Sequence, residues 1–150
     1  MEELKYYTPE IEDIRVEYEF EYCSDKLKDI WNKTIFTGND EYEIYSLGRI
    51  YNIKQLCNTT LLRTQYLTKE QIEAEGWKHI GGKLMSAIGQ EYEYRGWDLT
   101  YSELNQNCLI ERKNFIRDGS GNWYNKITYF KGKIKSINEF RTLCKWLGIC

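Results

Sequence analysis

One histidine, no closely spaced pair of cysteines and no apolar run of more than a few residues mark what this chain is short of. A helix needs about 20 apolar residues to cross a bilayer, so a membrane-spanning helix is excluded. The lone histidine, His79, follows Trp77 and Lys78 with no cysteine or aspartate at ligand spacing, which argues against a His-based triad. Cys23, Cys57, Cys108, Cys144 and Cys150 are an odd number at wide spacing. Without a C-x-x-C pair they read as free thiols in a reducing compartment, mostly small buried hydrophobes, with Cys150 the exposed, reactive exception. Also missing are a P-loop, G-x-G-x-x-G, H-E-x-x-H and G-x-S-x-G. The expectation is a protein that is not an enzyme, with no catalytic residue, no metal and no cofactor. Met1 to Tyr7 carry Glu2, Glu3 and Lys5 instead of a basic segment leading into an apolar one, so no signal peptide is expected and the location is read as cytoplasmic.

What is present is a chain of 150 residues, 41% hydrophobic and 29% charged, the balance of an ordinary globular domain. A chain of that length buries roughly 68 to 70% of its unfolded surface and holds a real core. No repeat, low-complexity tract or linker divides it, and one domain over residues 1–150 is expected. The formal net charge of −2 hides an asymmetry. Residues 1–75 carry 9 Lys+Arg against 16 Asp+Glu, and residues 76–150 carry 12 against 7, giving −7 and +5. Either these are two solvated faces that keep β-edges unsticky, or the second half carries a basic patch for an anionic partner.

The fold class expected from patterning is α+β: an antiparallel β-rich meander, as a sheet or a small sandwich, with one short internal helix and a C-terminal helix packed on it. Ile14 to Tyr22 alternates apolar and polar residues without a fault and predicts a half-buried strand with Ile14, Val16, Tyr18, Phe20 and Tyr22 on one face. Further strands are expected at 29–36, 41–46, 49–57 and 61–66. Thr68 and Gln71 match a capping box, and Gly76 ends a two-turn helix. Trp77 to Ile80 is extended, Lys83 to Gly89 is ambiguous between strand and helix, and Gly96 interrupts a strand pattern as a bulge would. Asn107–Arg117 and Asn122–Phe130 flank Asp118-Gly119-Ser120-Gly121, a strong hairpin signal. With Asp118 as the first position of a calcium loop, Trp123 stands where glycine is needed and Tyr129 where glutamate is needed, so no calcium site is read there. Gly132 marks a tight turn or a bulge. Ser136-Ile137-Asn138-Glu139 opens the last helix, with Ile137, Phe140, Cys144 and Leu147 as its apolar stripe and Gly148 closing it.

The 13 tyrosines and 5 tryptophans supply large contact area with a polar handle. Trp123 and Tyr124 beside the hairpin turn, and Trp146 off the helical stripe, are the aromatics expected to be partly exposed. The candidate binding residues are therefore Trp123 and Tyr124 with the cations Lys126, Lys131, Lys133, Lys135, Arg141 and Lys145.

Three blocks carry a resemblance: YYTPEIEDIRVEYEFEY at Tyr6–Tyr22, LTKEQIEAEGWKHI at Leu67–Ile80 and ITYFKGKIKSINEFRTLCKWLGI at Ile127–Ile149, together 54 of the 150 residues. They resemble a group of small proteins from gut Bacteroidetes and from the crAss-like tailed phages that infect them. The resemblance implies a β-rich body, a short helix before an E-x-x-G-W turn and a C-terminal helix, and it implies a phage or mobile-element accessory protein acting in the bacterial host cytoplasm. It carries no catalytic or ligand residue. The leading expectation is a binding protein that works by protein–protein contact with a bacterial or phage protein, as an inhibitor or anti-defence factor does. Two alternatives stay open: a nucleic-acid or nucleotide binder using the basic residues and stacking aromatics, and a virion or homo-oligomeric structural protein.

Overall fold

The computed structural model describes residues 5–39, 41–46, 48–82, 89–118 and 121–149, with side chains for all of these except 82, 115–118 and 121–124. The chain divides between Tyr66 and Leu67 into two compact units. Each has its own apolar cluster and each is described by itself.

The first unit begins with β1 (Tyr6–Tyr7) and a 3-10 turn at Ile11–Asp13, followed by β2 (Glu19–Asp25), β3 (Ile30–Ile35), β4 (Glu43–Ser46) and β5 (Arg49–Asn52). Helix α1 (Ile53–Asn58) and β6 (Leu62–Gln65) complete it. The order in its main sheet is β1-β6-β2-β3, all antiparallel, and β4 and β5 form a separate hairpin. Ile14, Tyr18, Phe20, Tyr22, Phe36, Ile53, Leu56 and Leu62 make the core. On the other side of β2, Glu21 accepts from Arg63 at 2.7 Å, and the Arg63 guanidinium stacks between the Tyr6 and Trp31 rings at 3.9 Å from each.

Two expectations fail in this unit. The alternating run from Ile14 is not one strand: β2 starts only at Glu19, and Arg15–Tyr18 is a turn in which Tyr18 N–H donates to Arg15 O at 2.9 Å and Glu17 takes φ +70. Ile14 and Tyr18 still reach the core because the turn reverses the chain between them, while Val16 is left 63% exposed. Residues 53–57 are helical instead of extended. Asn52 stops the β5 ladder by accepting the Gln55 N–H at 3.0 Å, an N-cap that lets Ile53 and Leu56 fall on one buried face.

The second unit opens with α2 (Lys69–Ala74), whose Thr68 and Gln71 form both bonds of the capping box. A five-stranded antiparallel meander follows: β7 (Lys78–Gly82), β8 (Gln90–Tyr94), β9 (Trp97–Tyr101), β10 (Asn107–Asp118) and β11 (Gly121–Lys133). Helix α3 (Ile137–Trp146) ends it. Gly96 is not a bulge. With Arg95 at φ +46 and Gly96 at φ +84 it completes a two-residue turn joining β8 and β9, and Tyr94 pairs directly with Trp97. Register shifts lie elsewhere, at Ile80 of β7, between the pairs His79–Tyr92 and Gly81–Glu91, and at Tyr129 of β11, between Ile110–Phe130 and Glu111–Thr128; β11 runs straight through Gly132. The segment 83–88 and the hairpin loop 119–120 lie outside the described residues.

One face of this sheet is apolar: Tyr92, Trp97, Leu99, Tyr101, Cys108 and Ile110 cluster with Ile72 of α2 and with Ile137, Phe140, Leu143 and Cys144 of α3. Leu143 thus joins the stripe read from sequence, Leu147 packs at its margin, and Trp146 stands 79% exposed. The architecture is α+β and predominantly antiparallel, with α3 docked on the meander; α1 is a second internal helix beyond the one expected.

Candidate binding surface

Strands β10 and β11 are longer than their neighbours, because β9 pairs with β10 only from Cys108 to Arg112. Past that point, with no third strand beside them among the described residues, β10 and β11 continue through six cross-strand pairs, from Lys113–Lys126 to Asp118–Gly121, as a two-stranded ribbon. The backbones of Trp123 and Tyr124 are placed in this ribbon, opposite Ile116 and Phe115. Their side chains lie outside the described residues.

At the root of the ribbon the apolar face of the sheet emerges from under α3. Tyr129 meets Trp97 edge-on at 4.9 Å, the Arg112 guanidinium sits 5.1 Å over the Trp97 ring, and Ile127, paired with Arg112, is exposed. This combination of aromatic rings, an aliphatic side chain and an arginine is the composition found at the centre of protein interfaces.

The opposite face is charged. Cys108 and Ile110 point to the core, so Asn107, Leu109, Glu111 and Lys113 of β10 point away from it, and with them their partners Lys133, Lys131, Thr128 and Lys126. Register sets Glu111, Asp98 and Glu93 side by side across β10, β9 and β8, with Lys78 next on β7. Adjacent carboxylates repel, and lysine answers them: Lys126 Nζ stands 3.4 Å from Asp98 Oδ2. Asp98 is 8% exposed, and its Oδ2 has no aligned hydrogen bond among the described residues, so the ammonium is a charge contact. Burial pulls the Lys126 ammonium down, but Asp98, Glu111 and Glu91 outweigh it and hold its pKa above the ordinary lysine value.

The six cations read from sequence do not form one ridge. Lys126, Lys131 and Lys133 share the charged face of the sheet, whereas Arg141 and Lys145 belong to α3 on the other face. Arg141 is committed within the fold: its Nε and Nη2 reach Glu75 Oε1 at 2.8 and 2.7 Å, tying α3 to the end of α2. Lys135 is exposed at the start of α3, where its N–H donates to Glu139 Oε2 at 2.6 Å and its carbonyl accepts from Leu67. The carboxylate row and the Arg112–Trp97–Tyr129 group escaped the sequence reading. Glu91 and Glu93 alternate visibly, but a row across three strands depends on register, which no local pattern encodes.

The single histidine and the buried thiols are held within the fold. His79 Nε2 lies 2.7 Å from Gln90 Oε1 and its ring packs on Tyr92. Cys23, Cys108 and Cys144 are buried, and burial pushes the Cys108 thiol up to about 12. Cys150 lies outside the described residues. Among the described residues no group of three or more His, Cys, Asp or Glu is placed to hold a metal ion, and no helix is long and apolar enough to cross a membrane. No family model, no curated protein and no solved structure matches the chain.

Proposed function

We propose that this chain is a phage-type accessory protein that acts without catalysis, by binding a bacterial or phage protein in the host cytoplasm. The observation that carries the reading is the β10–β11 ribbon, which leaves the sheet for six residue pairs with no third strand beside it among the described residues. A two-stranded ribbon is marginal in water on its own. This one carries Phe115, Ile116, Trp123 and Tyr124 by sequence, residues of the kind that anchor interfaces, and its root presents Ile127, Tyr129 and Arg112. Thiols raised away from reactivity and a histidine held by Gln90 fit a protein that works by contact.

The test is capture from host lysate with the tagged protein, washed at low and high salt, with captured protein and nucleic acid both identified. One protein recovered in near-equal amount at both salts is the expected result. Changing Trp123 to Ala together with Lys133 to Glu should abolish that capture without lowering the melting temperature. Capture that survives the double change would remove the ribbon from the binding surface, and nucleic acid recovered only at low salt would replace the protein-binding reading altogether.

A further inference from the structure

Strand β11 is the last strand of its sheet, and the direction of its backbone groups follows from two hydrogen bonds. Ser102 N–H donates to Asn107 O at 3.0 Å, so Asn107 turns its N–H and C=O toward β9. Ile134 N–H donates to Gln106 O at 3.0 Å, the bond that flanks a non-hydrogen-bonded pair. Asn107–Lys133 is therefore such a pair, and by alternation so is Leu109–Lys131, while Cys108–Gly132 and Ile110–Phe130 exchange the ladder bonds. Lys131 and Lys133 thus present their backbone N–H and C=O groups away from β10, along the edge of the sheet. Their side chains are exposed on the charged face. Among the described residues the open stretch is short. The Tyr129 register shift ends it on one side, and on the other Leu67 N–H already occupies the Lys135 carbonyl at 2.7 Å.

We propose that this edge, from Lys131 to Lys133, is where the partner docks, by adding an extended segment that carries Asp or Glu at alternate positions as a sixth strand beside β11. The inference rests on the protein-binding reading above and names the chemistry of the partner. Two outward residues offer two N–H donors and two C=O acceptors, enough to fix a short strand, and the two ammonium groups stand on one side of it at the period of alternate side chains. Lysine on an edge is also a device against unwanted pairing, and here the two roles agree. A second β11 laid antiparallel would set lysine against lysine, which is destabilising, whereas an acidic strand meets opposite charge. The charge selects the occupant as well as protecting the edge.

The probe is a seven-residue capped peptide with glutamate alternating with valine and threonine, compared with one carrying lysine in place of each glutamate. Amide exchange read residue by residue should be fast at Lys131 and Lys133 and slow at Gly132 and Phe130 in the protein alone, and the glutamate peptide should slow Lys131 and Lys133 at least tenfold. Lys131→Pro removes an outward N–H without touching a ladder bond and should weaken peptide binding at least tenfold. Lys131→Glu with Lys133→Glu should lose the glutamate peptide and gain the lysine one, a swap that decides the matter even if the proline variant does not fold. Equal binding of both peptides by the native chain, or unchanged binding by Lys131→Pro, overturns the proposal. So does protection of Lys131 that rises with protein concentration alone, which would mean a second copy on the edge. If the peptide results fail while lysate capture persists and depends on Trp123, the edge is wrong and the binding function stands; if capture is lost as well, both fall.

Discussion

Cys108 and Cys57 illustrate how burial sets the chemistry available to single residues. Loss of hydration pushes the Cys108 thiol up to about 12, with Cys144 adding to it, and the Cys57 thiol up to about 11, with Glu10 and Glu12 adding to that. The buried phenols of Tyr92 and Tyr101 move the same way, first by desolvation and then by neighbouring negative charge. In each case the fold favours the neutral form. Its contribution is complete below the unfolded value, 9.0 for a thiol and 10.0 for a phenol, and is lost as pH rises toward the folded one. The melting temperature is therefore expected to lose nothing from these groups up to about pH 8.5, near the free thiol value, and to fall steadily above it. Thermal melts at closely spaced alkaline pH check this, and a thiol reagent that modifies Cys108 in native protein at pH 8 as fast as free cysteine would contradict it. Gly89 is a second single-residue constraint. It holds φ +114, and a Cβ there would stand 2.3 Å from the Tyr101 carbonyl oxygen. Gly89→Ala should cost about 1 to 3 kcal/mol in urea unfolding, because both the dihedral and the contact must give.

The elements most legible from sequence are those whose signals are local. The two capped helices α2 and α3 and the long hairpin were each announced by residues a few positions apart, Thr68 with Gln71, Ser136 with Glu139, and Asp118 with Gly121. Ile14–Tyr22 misled because alternation reports which side chains face a core, and a turn with Glu17 at φ +70 satisfies that for Ile14 and Tyr18 as a strand would. Helix α1 hid because Asn52 caps it from within a β-prone run. The candidate surface was less legible than the fold: Lys131 and Lys133 are two apart on one strand, but their separation from Arg141 and Lys145 follows from α3 covering the opposite face of the sheet. The same face supplies an element-level test. Lys126 offsets the largely buried Asp98 carboxylate, so Lys126→Met should destabilise by about 1 to 3 kcal/mol by leaving that charge uncompensated. Adding Asp98→Asn should recover most of the loss, and a double variant no more stable than Lys126→Met would show that the pair does not couple.

Charge is where the whole molecule decides between partners. Counted at the division between Tyr66 and Leu67, the first unit holds 8 Lys+Arg against 13 Asp+Glu, net −5, and the second 13 against 10, net +3. A nucleic-acid binder needs several cations free to neutralise phosphates, and each one engaged steepens the salt dependence. Here Lys126 is drawn to Asp98, Arg141 holds Glu75, and Glu93 and Glu111 share the face that bears Lys131 and Lys133. A phosphate backbone approaching those lysines meets Glu111 at the next outward position of β10 and Glu93 two strands further across the same face, whereas a short acidic peptide on the β11 edge reaches the lysines from the side. The native chain is expected to retain a random-sequence duplex weakly at 50 mM salt and not at 200 mM. Glu93→Gln with Glu111→Gln should strengthen that retention several-fold by removing repulsion, with little change in protein capture. Gel mobility or filter retention over that salt range checks both. Tight retention by the native chain at 200 mM salt, unaffected by the two glutamine changes, would mean that the carboxylates do not govern access to the lysines, and the protein-binding assignment of that face would give way to a nucleic-acid one.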